Sequence, residues 1–384
     1  MRRRYLLPAL ALLALLAPAA AHAQAPDPGH AMDGDTMWIW EVKKSSGGSV
    51  SAIASKAKRY GIENLVVKGA DAGHTWRQFS RSFVNGLRAR GLKVCAYQFV
   101  YGRRPRTEAR AGARISRIAD CMVIDAETHY EGRYASARTY MRGLRARLGP
   151  NYPLGLTSFP YVHYHPGFPY SVFLGPGAAQ FNVPQVYWKA IGHSVDRTLA
   201  TTYRYNTVYG RTIAPLGQTW MHPRRSHIRR FRQQSIEYGA KGVGWWDWQE
   251  SAARDWRAVS SPLPVPGPTR QAGFPGLKRR SRGDLVVWAQ QHLRAAGESV
   301  RVNGVFDSRT KAAVVSFQQK QGLAAGGGIG SATWTALLRF TPARVAWRSS
   351  RASAASQAAA GTTPEPRSAK LRPRRNELRA KRAH

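Results

Sequence analysis

Between residues 37 and 249, short apolar runs alternate with longer stretches whose apolar positions recur with a helical period. Eight runs read as strands: 37–42, 64–68, 93–99, 121–126, 154–157, 185–188, 213–217 and 242–246. Apolar strands separated by helix-length segments predict parallel β/α units, because parallel neighbours need a crossover. Eight such units in this length match the small end of the closed (β/α)8 barrel range, with an open doubly wound sheet as the structural alternative. Against the open sheet, no G-x-G-x-x-G follows an early strand, and Gly326-Gly327-Gly328 lies far downstream.

The pattern changes after residue 259. Residues 260–276 are rich in proline, which predicts a stiff extended linker. Two amphipathic helices follow at 285–296 and 308–321, separated by a turn at Asn303-Gly304, with a third short helix at 331–338. The last segment, 341–384, is basic and poor in large apolar residues, so it is expected to be disordered. At the other end, Arg2, Arg3 and Arg4 precede an apolar stretch at 6–16, and Ala21-His22-Ala23 offers small residues where a signal peptidase reads. This predicts a secretory signal peptide over 1–23. Pro8, Pro18 and the short apolar length disfavour a membrane anchor. The expected organisation is signal peptide 1–23, lead 24–36, barrel 37–259, linker 260–276, three-helix module 277–340 and tail 341–384.

The chain carries 59 Lys and Arg against 21 Asp and Glu, a formal charge of +38, which calls for a polyanionic partner or surroundings. Arginine-favouring codon bias would account for part of this excess. Export makes an anionic cell wall the leading partner and nucleic acid an unlooked-for one. Two cysteines, Cys95 and Cys121, exclude a disulfide-rich scaffold and a four-cysteine zinc site. They begin neighbouring predicted strands, as a disulfide or as two buried thiols. His163-x-His165 lacks an evident third ligand, so no metal or organic cofactor is expected.

The three-helix module carries Gly283, Val286, Gln290, Leu293, Gly297, Asn303 to Phe306, Thr310, Ala313-Val314, Phe317-Gln318, Gly322-Leu323, Gly330, Thr333-Trp334 and Leu337, and in this pattern it resembles the peptidoglycan-binding domain of wall hydrolases. The resemblance implies peptidoglycan as partner, with anionic wall polymer as a further one, and makes Gln290 and Gln318 candidate polar groups near a binding surface. Asp307 stands where the family usually has glycine, which an aspartate in the left-handed conformation would tolerate.

In Val123-Ile124-Asp125-Ala126-Glu127, strand alternation puts Asp125 and Glu127 on one face at the end of an apolar strand. Two close carboxylates can divide the acid and charge-stabilising work of glycosidic cleavage. On this motif and the strand pattern, the barrel resembles the family 25 muramidases and related secreted actinobacterial barrels. The resemblance implies that Glu127 is the general acid, Asp125 a supporting carboxylate and Asp247 a further acid after the last strand. The family's usual first-strand Asp is absent, and Glu41 is the candidate substitute if it faces inward. Trp40, Tyr97, Tyr187, Trp188, Trp220, Trp246 and Trp248 are candidate sugar-stacking residues at strand ends, with Gln98, Gln185 and Gln218 as orienting donors. Lys68 and Asp71 end the second strand as a candidate pair, and the aromatic loop 159–170 is a further sugar-binding candidate.

Overall fold

The computed structural model describes residues 31–263 and 267–347; the signal-peptide segment and nearly all of the basic tail lie outside the described residues. Eight strand positions appear: β1 Thr36–Ile39, β2 Asn64–Asp71, β3 Lys93–Val100, β4 Met122–Ala126, β5 Leu154–Ser158, β6 Phe181–Pro184, β7 in two pieces (Thr212–Ile213 and Leu216–Gln218) and β8 Gly244–Trp246. They pair in parallel in chain order, and β1 sits between β2 and β8. Pro215 has no N–H to give the ladder, and β7 breaks there: its first piece pairs with β6 and its second with β8. A parallel bridge between Gln185 and Leu216, with the Val186 N–H on Leu216 O at 2.7 Å, carries the ladder across and closes the barrel.

The expected sixth strand, 185–188, is displaced. The strand is Phe181–Pro184, and Trp188 already opens a helix. Asn182 disguised the run as polar, but its amide is buried and donates to Asn206 Oδ1 at 2.8 Å.

Helices α1 Val50–Arg59, α2 Arg81–Arg88, α3 Pro105–Ser116 and α4 Tyr134–Leu148 fill the first four crossovers. Ser49 and Ser80 cap α1 and α2 by accepting the N–H groups of Ala52 and Phe83. The next crossovers hold single turns, α5 Tyr170–Phe173 and α6 Trp188–Ile191, followed by α7 Val195–Asn206, α8 Arg225–Glu237 and α9 Ala253–Val259. One turn of helix cannot cover the outer face of β5 and β6. The aromatic loop 159–170 does part of that work: Phe159, Tyr161, Phe168 and Tyr170 are buried, so the loop is core and not the sugar platform expected of it.

The C-terminal module covers the rest. Its helices are α10 Asp284–Ala295, α11 Ser308–Lys320 and α12 Ser331–Leu337, close to the expected spans. Leu285, Val286 and Trp288 of α10 join the same continuous core as the barrel's outer layer. The Trp288 indole donates to Val208 O at 2.7 Å. Asp284 is fully buried at this seam: Oδ2 accepts from Ser171 N–H and the Tyr209 hydroxyl, both at 2.8 Å, and Oδ1 accepts from Ser171 Oγ at 2.6 Å. Residues 267–276 lie against the barrel instead of standing free as a spacer. Thr269 and Arg270 N–H donate to Glu237 O, Arg270 pairs with the Glu237 carboxylate at 2.6 Å, and Trp334 Nε1 donates to Pro275 O.

Inside the barrel, Val66, Cys95, Cys121, Val123, Phe181 and Val183 form a second core closed from below by Met32. Gly155 faces this space because any side chain there would strike the Phe181 ring. Cys95 and Cys121 are joined by a disulfide between β3 and the start of β4. Closing a loop of 26 residues in sequence contributes roughly 3–4 kcal/mol in the chain-entropy account.

Burial pushes Asp284 up from 3.8 to about 6 against the opposing donors of Ser171, Tyr209 and Tyr134. Between those two values the docked module holds more protons than an undocked one, so docking is strongest at acid pH and weakens as pH rises through about 6. We expect a loss of roughly 2–3 kcal/mol of docking between acid and neutral pH. Calorimetric unfolding across that range will show it, and Asp284→Ala will remove the dependence and cost roughly 2–4 kcal/mol by stranding buried donors. A melting profile of the variant that still falls with pH as the wild type does would contradict this.

Candidate active site

Inward-facing residues at the C-terminal ends of the strands build the mouth, the usual position of a barrel active site. On β4, Val123 enters the inner core and alternation sends Asp125 and Glu127 the same way. Asp125 sits opposite Phe99 of β3 and Thr157 of β5 and is buried, while Glu127, one step higher, is half-buried at the rim. Gln185, just past β6, reaches across: its Nε2 donates to Glu127 Oε1 at 3.0 Å and to Asp125 Oδ1 at 3.4 Å. One neutral amide therefore fixes both carboxylates without supplying a compensating charge.

Aromatic rings wall this site. Trp38 lies 5.0 Å from Tyr97 and 5.9 Å from Trp246, and Tyr97 and Trp246 are 6.1 Å apart, ring centre to ring centre. Tyr187 and Trp220 meet at 5.5 Å on the β6–β7 side. Lys68 points in from β2 and is ringed by Trp76 at 4.6 Å, Trp40 and Phe99 at 5.9 Å and Tyr97 at 6.0 Å. Its Nζ pairs with Asp71 at 2.9 Å, so the candidate pair is a pair and lies at the mouth. Gln78 ties this corner together by donating to Trp40 O and Lys68 O at 2.7 and 2.9 Å.

Several candidates lie elsewhere. Glu41 follows the inward Trp40, so it turns outward and pairs with Lys44 at 2.8 Å. No carboxylate of β1 enters the mouth. Gln98 is on the helix side of β3, where its Nε2 donates to Ala72 O and Glu108 O and its Oε1 accepts from the Tyr140 hydroxyl. Gln218 accepts the Lys189 and Ala190 N–H groups and donates to Trp220 O, which commits it to holding loops. Trp188 stacks on Phe231 and Trp248 meets Trp256 edge-on, both in the outer core. Asp247 is wholly buried, and its Oδ1 accepts from the Glu250 N–H in the loop after β8.

Within the module, Gln290 and Gln318 do the same internal work twice. Gln290 Oε1 accepts from Asn303 and Gly304 N–H while its Nε2 donates to Val305 O, Thr310 Oγ1 and Asn303 Oδ1. Gln318 Oε1 accepts from Gly327 N–H while its Nε2 donates to Gly328 O and Thr333 Oγ1. Both are buried loop clamps and not exposed ligand contacts. Asp307 is not left-handed: at φ −86° it is the N-cap of α11, accepting from Thr310 N–H at 2.8 Å, and that bond holds its carboxyl below the usual range. His165 pairs with Glu131 and His163 stacks on Tyr205 at 4.0 Å, and no metal-sized cluster of ligating side chains occurs among the described residues.

Trp76 was not legible, whereas Gln185, expected as an orienting donor at the mouth, is found there on both carboxylates. Trp76 reaches Lys68 because a two-residue antiparallel turn-back at His74–Thr75 folds over β2, too short for any periodicity to reveal.

Residues 282–337 match the peptidoglycan binding domain family. No curated protein matches the chain. Among solved structures, a peptidoglycan-binding protein from Clostridioides difficile is 43% identical over 18% of this chain and 43% of that one, with a TM-score of 0.17, so the match spans less than half of that protein. The catalytic domain of a hyperthermophilic chitinase from Pyrococcus furiosus is 12% identical over 59% of this chain and 92% of that one, TM-score 0.43. The catalytic domain of the endolysin ply40 from bacteriophage P40 of Listeria monocytogenes is 12% identical over 34% and 66%, TM-score 0.27.

The clamp geometry separates folding from recognition. Gln290→Leu leaves the Asn303 and Gly304 N–H groups without their acceptor and should cost roughly 2–4 kcal/mol of module stability, read by calorimetry. An unchanged melting transition with lost wall binding would instead return Gln290 to the ligand surface.

Proposed function

We propose that this protein is an exported wall hydrolase that binds peptidoglycan through its C-terminal module and cleaves the glycan strand in the barrel mouth. The observation that carries the reading is the pair Asp125 and Glu127, both turned into an aromatic-walled mouth and joined by the Gln185 amide. Glu127, nearer the rim, is the general acid: its proton passes to the glycosidic oxygen as the bond from that oxygen to the anomeric carbon breaks. Asp125, deeper and buried, stabilises the positive charge that develops or orients the substrate's acetamido group for attack on that carbon. In the acetamido route the acetamido carbonyl oxygen bonds to the anomeric carbon as the leaving oxygen departs with the Glu127 proton, and a water deprotonated by Glu127 then attacks that carbon and displaces the acetamido oxygen, which gives retention of configuration. Export is supported by the leader-like N-terminus and by the Cys95–Cys121 disulfide, a bond that persists in oxidising compartments.

A second reading, a glycan-binding protein without turnover, is favoured by one observation: Trp38 of β1 and Trp40 just past its end face inward, where the resemblance places an acid.

Incubating the protein and a Glu127→Gln variant with purified peptidoglycan separates the two readings. We expect sugar fragments with new reducing ends from the wild type, detected by mass spectrometry, and a loss of about 10³-fold or more in the variant. Proton NMR of the first product should show the retained anomer. Sedimentation of both proteins with the wall and release of fragments by neither would establish the second reading.

A further inference from the structure

We propose that a basic cavity beside the mouth is a phosphate-binding subsite, so that the glycan this barrel takes carries a phosphate group; the choice of glycan rests on the hydrolytic reading above. The cavity measures about 480 Å³ and is lined by His193, His222, Arg224, Arg225, His227 and Arg254. These residues come from the segments after β6, β7 and β8, all on the face that carries Asp125 and Glu127. Tyr187 and Trp220, which meet at the mouth wall, immediately precede the cavity-lining stretches in the chain. A sugar stacked on that wall has the cavity next to it.

Two features make the cavity receptive to an anion. First, positive charge is left over: Arg224 and Arg225 have no acidic partner among the described residues, and the acid at the cavity edge, Asp255, is buried, engaged by His222 Nδ1 at 2.8 Å and faced by Arg254 Nε at 3.8 Å. Second, the N-terminus of α8 follows β7 and so lies at this end of the barrel, and it has neither a side-chain cap nor an acidic residue in its first turn. The loop is also held in place: Met221 and His222 are both left-handed at φ 62° and 48°, and Lys189 Nζ donates to Met221 O at 2.8 Å. Arginine forks and a helix N-terminus suit the several oxygens of a phosphate better than the two of a carboxylate, and loops after the seventh and eighth strands are where barrels commonly bind phosphate.

The test is isothermal titration of the full chain with inorganic phosphate at an ionic strength fixed by chloride, with acetate as the competing anion. We expect saturable phosphate binding that weakens about tenfold in Arg225→Gln/Arg254→Gln but not in Arg59→Gln/Arg114→Gln, which removes the same charge on other faces. N-acetylglucosamine 6-phosphate and a glycerol phosphodiester then tell a phosphorylated sugar from a poly(alditol phosphate) chain; binding of either carries the proposal. Acetate binding as tightly as phosphate, or equal losses in the two double variants, would overturn it. Glu127→Gln should bind phosphate like the wild type, so a failure of hydrolysis and a failure of the cavity are read separately.

Discussion

A closed sheet has no edge, and its lumen must be filled by every second side chain of every strand. That constraint organises the whole molecule. It directs Cys95 and Cys121 into the base of the lumen, Val123 into its middle and Asp125 and Glu127 to its mouth, all by the same alternation. It equally decides what cannot be in the site. Once Trp38 and Trp40 face inward, Glu41 has to face out, and no local adjustment short of a bulge can bring it back. The Lys68–Asp71 corner shows what a bulge does: pairing with β3 shifts register between Lys68 and Ala70, and Asp71 is brought level with Phe99 at the mouth.

The outer layer obeys a different rule, namely that an apolar sheet face must be covered. Four full helices cover the first half, but the crossover from β5 to β6 contains only one helical turn, and the C-terminal module packs into the remaining space. The module is thereby part of the barrel's own packing. Under the proposed function, wall binding by the module and hydrolysis in the barrel share one packed core, so a glycan held by the module is oriented relative to the mouth. Asp284 locks the seam through side chains of α5 and of the segment after α7, and the packed residues 267–276 add to it.

Much of this was legible in the sequence because it depends on short-range periodicity. The count of eight strands, the three helices of the module and the inward face shared by Asp125 and Glu127 all follow from alternation or helical spacing. What was not legible depends on partners far apart in the chain. Gln98, Gln218, Gln290 and Gln318 looked like free polar groups near a site, yet each is spent on backbone groups or hydroxyls that only the fold brings near. Trp188 and Trp248 sit one residue out of phase with the lumen, a difference that a four-residue error in β6 and the irregular chain after β8 conceal. The proline-rich segment read as a spacer because composition reports stiffness and says nothing of what a stiff segment lies against.

The account stands on the claim that a glycan occupies the mouth with its scissile bond at Glu127. The most direct measurement is a crystal structure of the Glu127→Gln variant with a short N-acetylated oligosaccharide. The account predicts a sugar ring against Trp246, its acetamido group at Asp125 and a glycosidic oxygen within about 3.2 Å of the residue 127 side chain. An oligosaccharide bound outside the mouth, or inside it with no glycosidic oxygen in reach of residue 127, would contradict it.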